Sequence, residues 1–119
     1  MIKPQPRKIP SGNAWPPPGQ YEYIAIDFDG TLFETDFPTI LRPKLHIINW
    51  CILQQQQGAK IILHTCREAE RLDAAIEACK AFGLHFDSIN CNPFTEWELT
   101  PDSKKPFADI YLDDKAWRV

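Results

Sequence analysis

The chain lacks any apolar run long enough to cross a membrane, and its first residues lack the apolar core of a signal peptide. Both absences favour a soluble protein of the cytoplasm without a membrane partner. The 119 residues suffice for one small domain with a single core. The net charge of −3 argues against a general nucleic-acid binder, which would need an excess of positive charge.

The cysteines do not have the spacing of a zinc site. None of them forms a CxxC pair, and each lies in a different predicted element: Cys51, Cys66, Cys79 and Cys91. We therefore expect reduced thiols, in agreement with a cytoplasmic location.

Proline is concentrated at the N-terminus, where residues 1–20 include Pro4, Pro6, Pro10 and a run of three at 16–18. Proline fixes φ and has no N–H, so this segment cannot enter the interior of a sheet. We predict an extended or partly disordered arm over residues 1–20 and a folded domain over residues 21–119. The alternative role for the arm is a proline-rich ligand for another protein.

Strand and helix patterns alternate after the arm. The predicted strands are 22–28, 60–64, 86–89 and 109–112, the predicted helices are 43–57 and 68–82, and 91–105 is a loop. Alternating strands and helices indicate an α/β fold with a parallel sheet and right-handed crossovers. We expect the four strands in the spatial order 3-2-1-4.

Polar clusters follow three of these strands at the point where each strand ends. The clusters are Asp27 and Asp29, Thr65 and Arg67, and Asp113 and Asp114. Parallel sheets bind ligands at the carboxyl ends of their strands, so we expect the clusters to meet. Neighbouring carboxylates repel each other, and Mg²⁺ relieves that repulsion because it prefers oxygen ligands. The sequence therefore predicts metal and phosphate chemistry at this edge.

Four segments together resemble the motifs of haloacid dehalogenase (HAD) superfamily phosphatases. In family order they are residues 27–32, residues 63–67, Lys104 or Lys105, and residues 111–114. Residues 108–114 are also similar to the last motif of the deoxyribonucleotide phosphatases. The resemblance implies a Rossmann-like three-layer α/β/α core with a central parallel sheet.

The resemblance also implies a magnesium-dependent phosphomonoester hydrolase that acts through an aspartyl-phosphate. Asp27 would be the nucleophile, and Asp29 the general acid, which a nearby phosphate would keep protonated and which later activates water. Thr65 would bind a phosphate oxygen through its hydroxyl and its backbone. Lys105, or Lys104 one residue earlier, would neutralise the transferring phosphoryl group.

The implied magnesium ligands are carboxylates and one carbonyl. They are Asp27, Asp113, Asp114 either directly or through water, and the main-chain carbonyl of Asp29.

The remaining substrate contacts are assigned to residues that follow the first two strands. Gly30 would let the backbone turn tightly, and the amides that follow it, beginning with Thr31, would bind phosphate oxygens. Arg67 would form a bidentate contact with it. Cys66, between Thr65 and Arg67, is a spacer in this substrate-binding segment rather than a nucleophile.

Each role has a structural alternative. Asp27 could serve as a metal ligand without acting as the nucleophile. Thr65 could cap the second helix in a capping box with Glu68. Arg67 could form a surface salt bridge in the first turn of that helix. The lysine that is not used would be solvated.

The sequence departs from the family pattern in two ways. About forty residues separate Thr65 from Lys105, which leaves no room for a cap domain. A capless member suggests a macromolecular substrate, a cap from a partner subunit, or a small substrate held by loop 91–104. Only five residues follow Asp114, so we expect the family's closing helix to be missing and the arm or a homo-oligomer to supply stability. Glu34 and Asp36 are predicted to lie on a loop near the substrate entrance.

The preferred substrate is a nucleotide or a nucleic-acid end, on the resemblance alone. Two other functions remain open. One is a phosphate- or metal-binding interaction module that has lost turnover, and the other is a phosphotransferase to an alcohol.

Overall fold

The fold is built around a strand of consecutive buried apolar residues. The computed structural model describes residues 19–91 and 108–114, together with the backbone of residues 7–8 and 116–118. The elements in chain order are β1 (Arg7–Lys8), β2 (Tyr23–Ile26), β3 (Phe33–Asp36), β4 (Thr39–Pro43), α1 (Leu45–Gln56), β5 (Lys60–Leu63), α2 (Ala69–Lys80), β6 (Ser88–Ile89), β7 (Ile110–Leu112) and β8 (Ala116–Arg118). Ile24, Ala25 and Ile26 of β2 are buried, as expected for a parallel strand covered on both faces.

A six-stranded sheet has the order β1-β8-β7-β2-β5-β6. β7, β2, β5 and β6 are parallel, whereas β8 and β1 are antiparallel at one edge. The parallel strands follow the predicted order 3-2-1-4. The chain is therefore a mixed α/β protein with a four-stranded parallel sheet, which confirms the coarse prediction.

Both helices share one hydrophobic core with the sheet. The buried members include Ile24 and Ile26 of β2, Ile47, Ile48 and Cys51 of α1, and Ala75 and Cys79 of α2. Two successive right-handed crossovers in the same direction place their helices on the same face. Ala25 and Ile62 belong to a separate, smaller cluster with Ala108, because alternate strand residues point to opposite faces.

The first helix is shorter than predicted. α1 begins at Leu45 instead of residue 43, and Leu41 and Pro43 belong to β4. Leu41 has the spacing of an apolar helix stripe with Leu45 and Ile48, but it is exposed.

A β-hairpin occupies the segment that was predicted to be a loop. β3 and β4 pair antiparallel to form a second sheet, and Glu34 and Asp36 lie on β3. Phe33, which is 4% exposed, joins the hairpin to the main core. Phe37 and Pro38 lie at the hairpin tip, and Phe37 is exposed.

The N-terminal arm contributes an edge strand. Arg7 pairs with Trp117 and Lys8 with Ala116, so β1 lies outside β8. An edge position is compatible with the surrounding prolines, which exclude the arm from the sheet interior. β8 itself was not predicted. Among the described residues, no helix is long and apolar enough to span a membrane.

Candidate active site

Three strand ends meet at one edge of the parallel sheet. Ile26, the last residue of β2, pairs with Leu63 of β5 and with Leu112 of β7. The amide of Asp27 donates to the carbonyl of Leu112 over 3.0 Å. The chain segments that follow these strands therefore emerge side by side, as the sequence predicted.

The acids of these segments interact electrostatically. Burial raises the pKa of Asp27 to about 6, and repulsion by Asp29, Asp114 and Asp113 adds to the effect, against a hydrogen bond from the Phe28 amide. Asp29, Asp113 and Asp114 therefore lie near enough to Asp27 to oppose its ionisation.

Gly30 brings the turn after β2 into contact with the segment after β7. Its φ of +80° is in the left-handed region that favours glycine. A Cβ atom at Gly30 would lie 3.0 Å from Cβ of Asp114. The glycine therefore permits both the turn and the close approach of an acid that is a predicted metal ligand.

The described residues contain no preformed group of three or more acidic, histidine or cysteine side chains arranged around a metal position. The chemistry of the donors nevertheless suits Mg²⁺, because Asp27, Asp113 and Asp114 all provide carboxylate oxygens. A cation beside them would also offset the repulsion that raises the pKa of Asp27. The magnesium site remains a prediction.

Arg67 binds a carboxylate of the site, which corrects its predicted contact with phosphate. Its Nε donates to Oδ2 of Asp29 over 2.9 Å, and its Nη2 donates to Oδ1 over 2.7 Å. The Arg67 side chain is 1% exposed. The alternative of a surface salt bridge in the helix is therefore wrong as well.

This pairing sets the ionisation of Asp29. The hydrogen bonds from Arg67 hold the pKa of the Asp29 carboxyl below its usual value, and the Thr35 hydroxyl adds to this effect while burial opposes it. Without a phosphate nearby, Asp29 is thus a carboxylate at neutral pH and not the protonated acid expected in the first step.

Thr65 is fixed by Asn90, a residue that the sequence analysis did not identify. The Thr65 amide donates to Oδ1 of Asn90 over 2.8 Å, and Nδ2 of Asn90 donates to the Thr65 carbonyl over 3.0 Å. Asn90 directly follows β6 and has a φ of 56°, a conformation that asparagine tolerates better than most residues. An asparagine at the end of a strand was the available signal.

The Thr65 hydroxyl contacts the backbone of Arg67 and does not cap the helix. It accepts a hydrogen bond from the Arg67 amide over 3.1 Å and keeps its own hydrogen for donation. α2 begins after Glu68, which forms no side-chain cap hydrogen bond. The capping-box alternative is therefore wrong. The predicted backbone contact from Thr65 to phosphate is also not supported, because its amide is bound to Asn90.

The turn after Asp29 uses its amides internally. Gly30 donates to the carbonyl of Phe33 over 2.8 Å, and Thr31 donates to the carbonyl of Phe28 over 3.2 Å. The amides that follow Gly30 are therefore bound within the turn, which corrects the prediction that they contact phosphate from Thr31 onward. The Nζ of Lys44 donates to the Gly30 carbonyl over 2.7 Å, a contact that sequence analysis also missed.

The remaining predicted residues divide into two groups. Cys66 is exposed and its thiol is unpaired, in agreement with a spacer. Lys104 and Lys105 lie outside the described residues, so the identity of the catalytic lysine stays a prediction.

A solved structure with similar sequence and fold is that of a conserved protein from Bacteroides thetaiotaomicron. It has 36% sequence identity and a TM-score of 0.68, and the match covers 81% of this chain and 77% of that chain. No family model matches this chain, and no curated protein does.

Proposed function

We propose that this protein is a magnesium-dependent phosphomonoester hydrolase that works through an aspartyl-phosphate. The chain belongs to the family of the conserved Bacteroides thetaiotaomicron protein. We further propose a capless HAD-type phosphatase with a three-layer core, acting in the cytoplasm. The observation that carries this proposal is the meeting of four acids at the carboxyl ends of β2 and β7.

Magnesium would be held by Asp27, Asp113 and Asp114, with the main-chain carbonyl of Asp29 as a further ligand. When bound, the ion would neutralise charge on the carboxylates and on the phosphate. The support from the structure is electrostatic, because Asp29, Asp113 and Asp114 oppose the ionisation of Asp27.

Asp27 is the nucleophile of the proposed first step. An oxygen of its carboxylate forms a bond to phosphorus while the bond from phosphorus to the ester oxygen breaks. Asp29, protonated beside the phosphate, gives its proton to the departing oxygen, which leaves as an alcohol. The Thr65 hydroxyl donates to a phosphoryl oxygen, and Lys105 or Lys104 adds a positive charge.

Asp29 acts as a base in the second step. Water attacks phosphorus, its proton passes to Asp29, and the bond between phosphorus and Asp27 breaks to release phosphate. The ionised state of Asp29 in the structure is the one that this step requires.

The proposed substrate is a phosphorylated small molecule or a nucleic-acid end. The hairpin of β3 and β4 begins at Phe33, shortly after Asp29, and is far smaller than a cap domain. The small size of this hairpin supports a bulky phosphate ester as the substrate. Homo-oligomerisation stays a prediction for measurement in solution.

A second candidate is a phosphate- or metal-binding module without turnover. The observation in its favour is the Arg67–Asp29 pair, which keeps the acid ionised in the absence of phosphate. Magnesium binding without hydrolysis of any tested phosphoester would support this candidate.

The test is phosphate release by the purified protein with Mg²⁺, using p-nitrophenyl phosphate, phosphorylated metabolites and oligonucleotide ends. We expect magnesium-dependent turnover that Asp27→Asn abolishes and that chelation removes. Glu22→Gln is the matched control, because this exposed acid precedes β2 at the opposite end of the sheet. Turnover that survives in Asp27→Asn would contradict covalent catalysis by Asp27.

A further inference from the structure

Arg67 is built into the interior and does not face a ligand. Besides both oxygens of Asp29, its guanidinium donates to the carbonyls of Pro38 and Arg71, over 3.2 and 3.3 Å. With a side chain that is 1% exposed, it has no surface on which a phosphate could dock.

Aromatic rings hold the guanidinium in place on two sides. Its central carbon lies 5.0 Å from the ring centroid of Phe28 and 5.1 Å from that of Phe37. Phe28 belongs to the turn after β2, and Phe37 to the hairpin tip. The guanidinium is therefore held by a residue that precedes Asp29 in the sequence and by one that follows it.

Asp29 stays accessible although both of its oxygens are bound. Its side chain is 29% exposed, against 1% for Arg67. Arg67 thus restrains the carboxylate, while part of the Asp29 side chain remains exposed. Such restraint is what proton transfer in a defined geometry needs.

We propose that Arg67 is a positioning residue, which fixes the Asp29 carboxylate for proton transfer to and from the reacting oxygens and does not touch the phosphate. The inference rests on the proposed function, because it assigns Arg67 a task in that reaction.

Leaving groups of different basicity separate positioning from phosphate binding. An alkoxide needs a proton from Asp29 as it departs, whereas p-nitrophenolate leaves without one. Loss of Asp29 positioning should therefore damage hydrolysis of an alkyl phosphate much more than hydrolysis of p-nitrophenyl phosphate. Loss of a phosphate contact would damage both equally. We compare kcat/KM, since it excludes the later hydrolysis of the aspartyl-phosphate.

The variant is Arg67→Met, whose side chain can still pack between Phe28 and Phe37. We expect kcat/KM for glycerol phosphate to fall about 100-fold and that for p-nitrophenyl phosphate by no more than about 3-fold, given the usual size of general acid catalysis. Arg71→Met is the matched control. Arg71 also lies against the Phe37 ring, at 5.3 Å, but only its carbonyl contacts Arg67, and the substitution retains that carbonyl.

A second signature comes from the hydrolysis step. With Asp29 poorly placed to activate water, Arg67→Met should release p-nitrophenol in a burst that matches the enzyme concentration, followed by slow turnover. A general loss of folded protein would shrink both phases and would leave the ratio of the two substrates unchanged.

Arg67→Lys provides the same test if Arg67→Met does not fold, because it keeps the charge but loses the two-pronged contact. Equal losses on both substrates, or faster hydrolysis of the alkyl phosphate, would overturn the role of Arg67 alone. Faster hydrolysis would mean that Arg67 acts only by keeping Asp29 ionised. Absence of turnover in the unmodified protein would instead overturn the proposed function, and this inference with it.

Discussion

At Asp27, burial and three neighbouring acids oppose ionisation of a single carboxyl group. Its pKa rises from 3.8 to about 6, so the folded protein at neutral pH carries an unfavourable charge there. Because the folded-state pKa lies above the unfolded value, stability falls as the pH rises between those two values. The penalty is absent in acid, where the group is protonated in both states. A residue that weakens the fold in this way is typical of a functional site.

Replacement of Asp27 by asparagine should therefore stabilise the metal-free protein. We expect the free energy of unfolding at pH 7 to rise by about 1–2 kcal/mol, after allowance for solvent screening of a partly exposed group. Urea denaturation across pH measures it, and the advantage should disappear near pH 4. Magnesium should reduce the difference at pH 7, and Glu22→Gln should show none. A variant that is less stable at pH 7 would contradict the electrostatic account.

The amide of Asn90 makes a second prediction at the scale of one side chain. Asn90→Ala removes two hydrogen bonds to the backbone of Thr65, and we expect a loss of about 1–2 kcal/mol in unfolding free energy. Phosphatase kcat should fall as well, because the Thr65 hydroxyl loses its fixed direction. Asn49→Ala, at an exposed position of α1, is the control. Full activity in Asn90→Ala would show that Thr65 needs no such support.

The separation of two residues along the chain decides whether their contact can be predicted from the sequence. Asp27 and Asp29 are two positions apart at a strand end, so their proximity could be read directly. Arg67 and Asp29 are 38 positions apart, and Asn90 and Thr65 are 25 apart. Those pairs depend on how strands and hairpin come together, and a local pattern does not contain that information. For this reason Arg67 was assigned to phosphate instead of to Asp29.

At the scale of elements, the turn after β2 leads directly into the hairpin. The Phe28 carbonyl accepts the amides of Thr31, Leu32 and Phe33, which closes the turn tightly. The hairpin that follows was missed because Leu41 lies four positions before Leu45 and fits a helical stripe. The β-prone residues of β3 and β4 on either side of Phe37 and Pro38 were the contrary signal.

Two glycines with positive φ differ in whether an added side chain would also clash with a neighbour. Gly30 and Gly58 have φ values of +80° and +104°. A Cβ atom at Gly30 would contact Asp114, whereas a Cβ atom at Gly58 would have no neighbouring atom within 4 Å. We expect Gly58→Ala to reduce the unfolding free energy by about 1 kcal/mol and Gly30→Ala by at least about 2 kcal/mol.

Magnesium binding distinguishes these variants further. Gly30→Ala displaces Asp114 and should weaken the midpoint of a magnesium titration, whereas Gly58→Ala should leave it unchanged. Equal stability losses with the same magnesium midpoint would contradict the proposed contact between the turn and the metal ligands.

At the scale of the whole molecule, sheet topology assembles the site from distant segments. Two helical crossovers restrict the possible arrangements of a parallel sheet, and the observed order of its four parallel strands agrees with the predicted one. The edge strands β1 and β8 escaped prediction because they are two and three residues long and have little pattern. The acids of the site follow the central strands β2 and β7, whose pairing was predicted, so their proximity could be predicted as well.

The most direct test of the account is to find the phosphoryl group on the protein. The unmodified protein is mixed briefly with p-nitrophenyl phosphate and Mg²⁺, quenched in acid, digested and analysed by mass spectrometry. We predict a peptide that carries one phosphoryl group on Asp27 and that is absent without magnesium and in Asp27→Asn. Turnover with no phosphorylated peptide, or with the phosphoryl group on another residue, would contradict the assignment of Asp27 as the nucleophile.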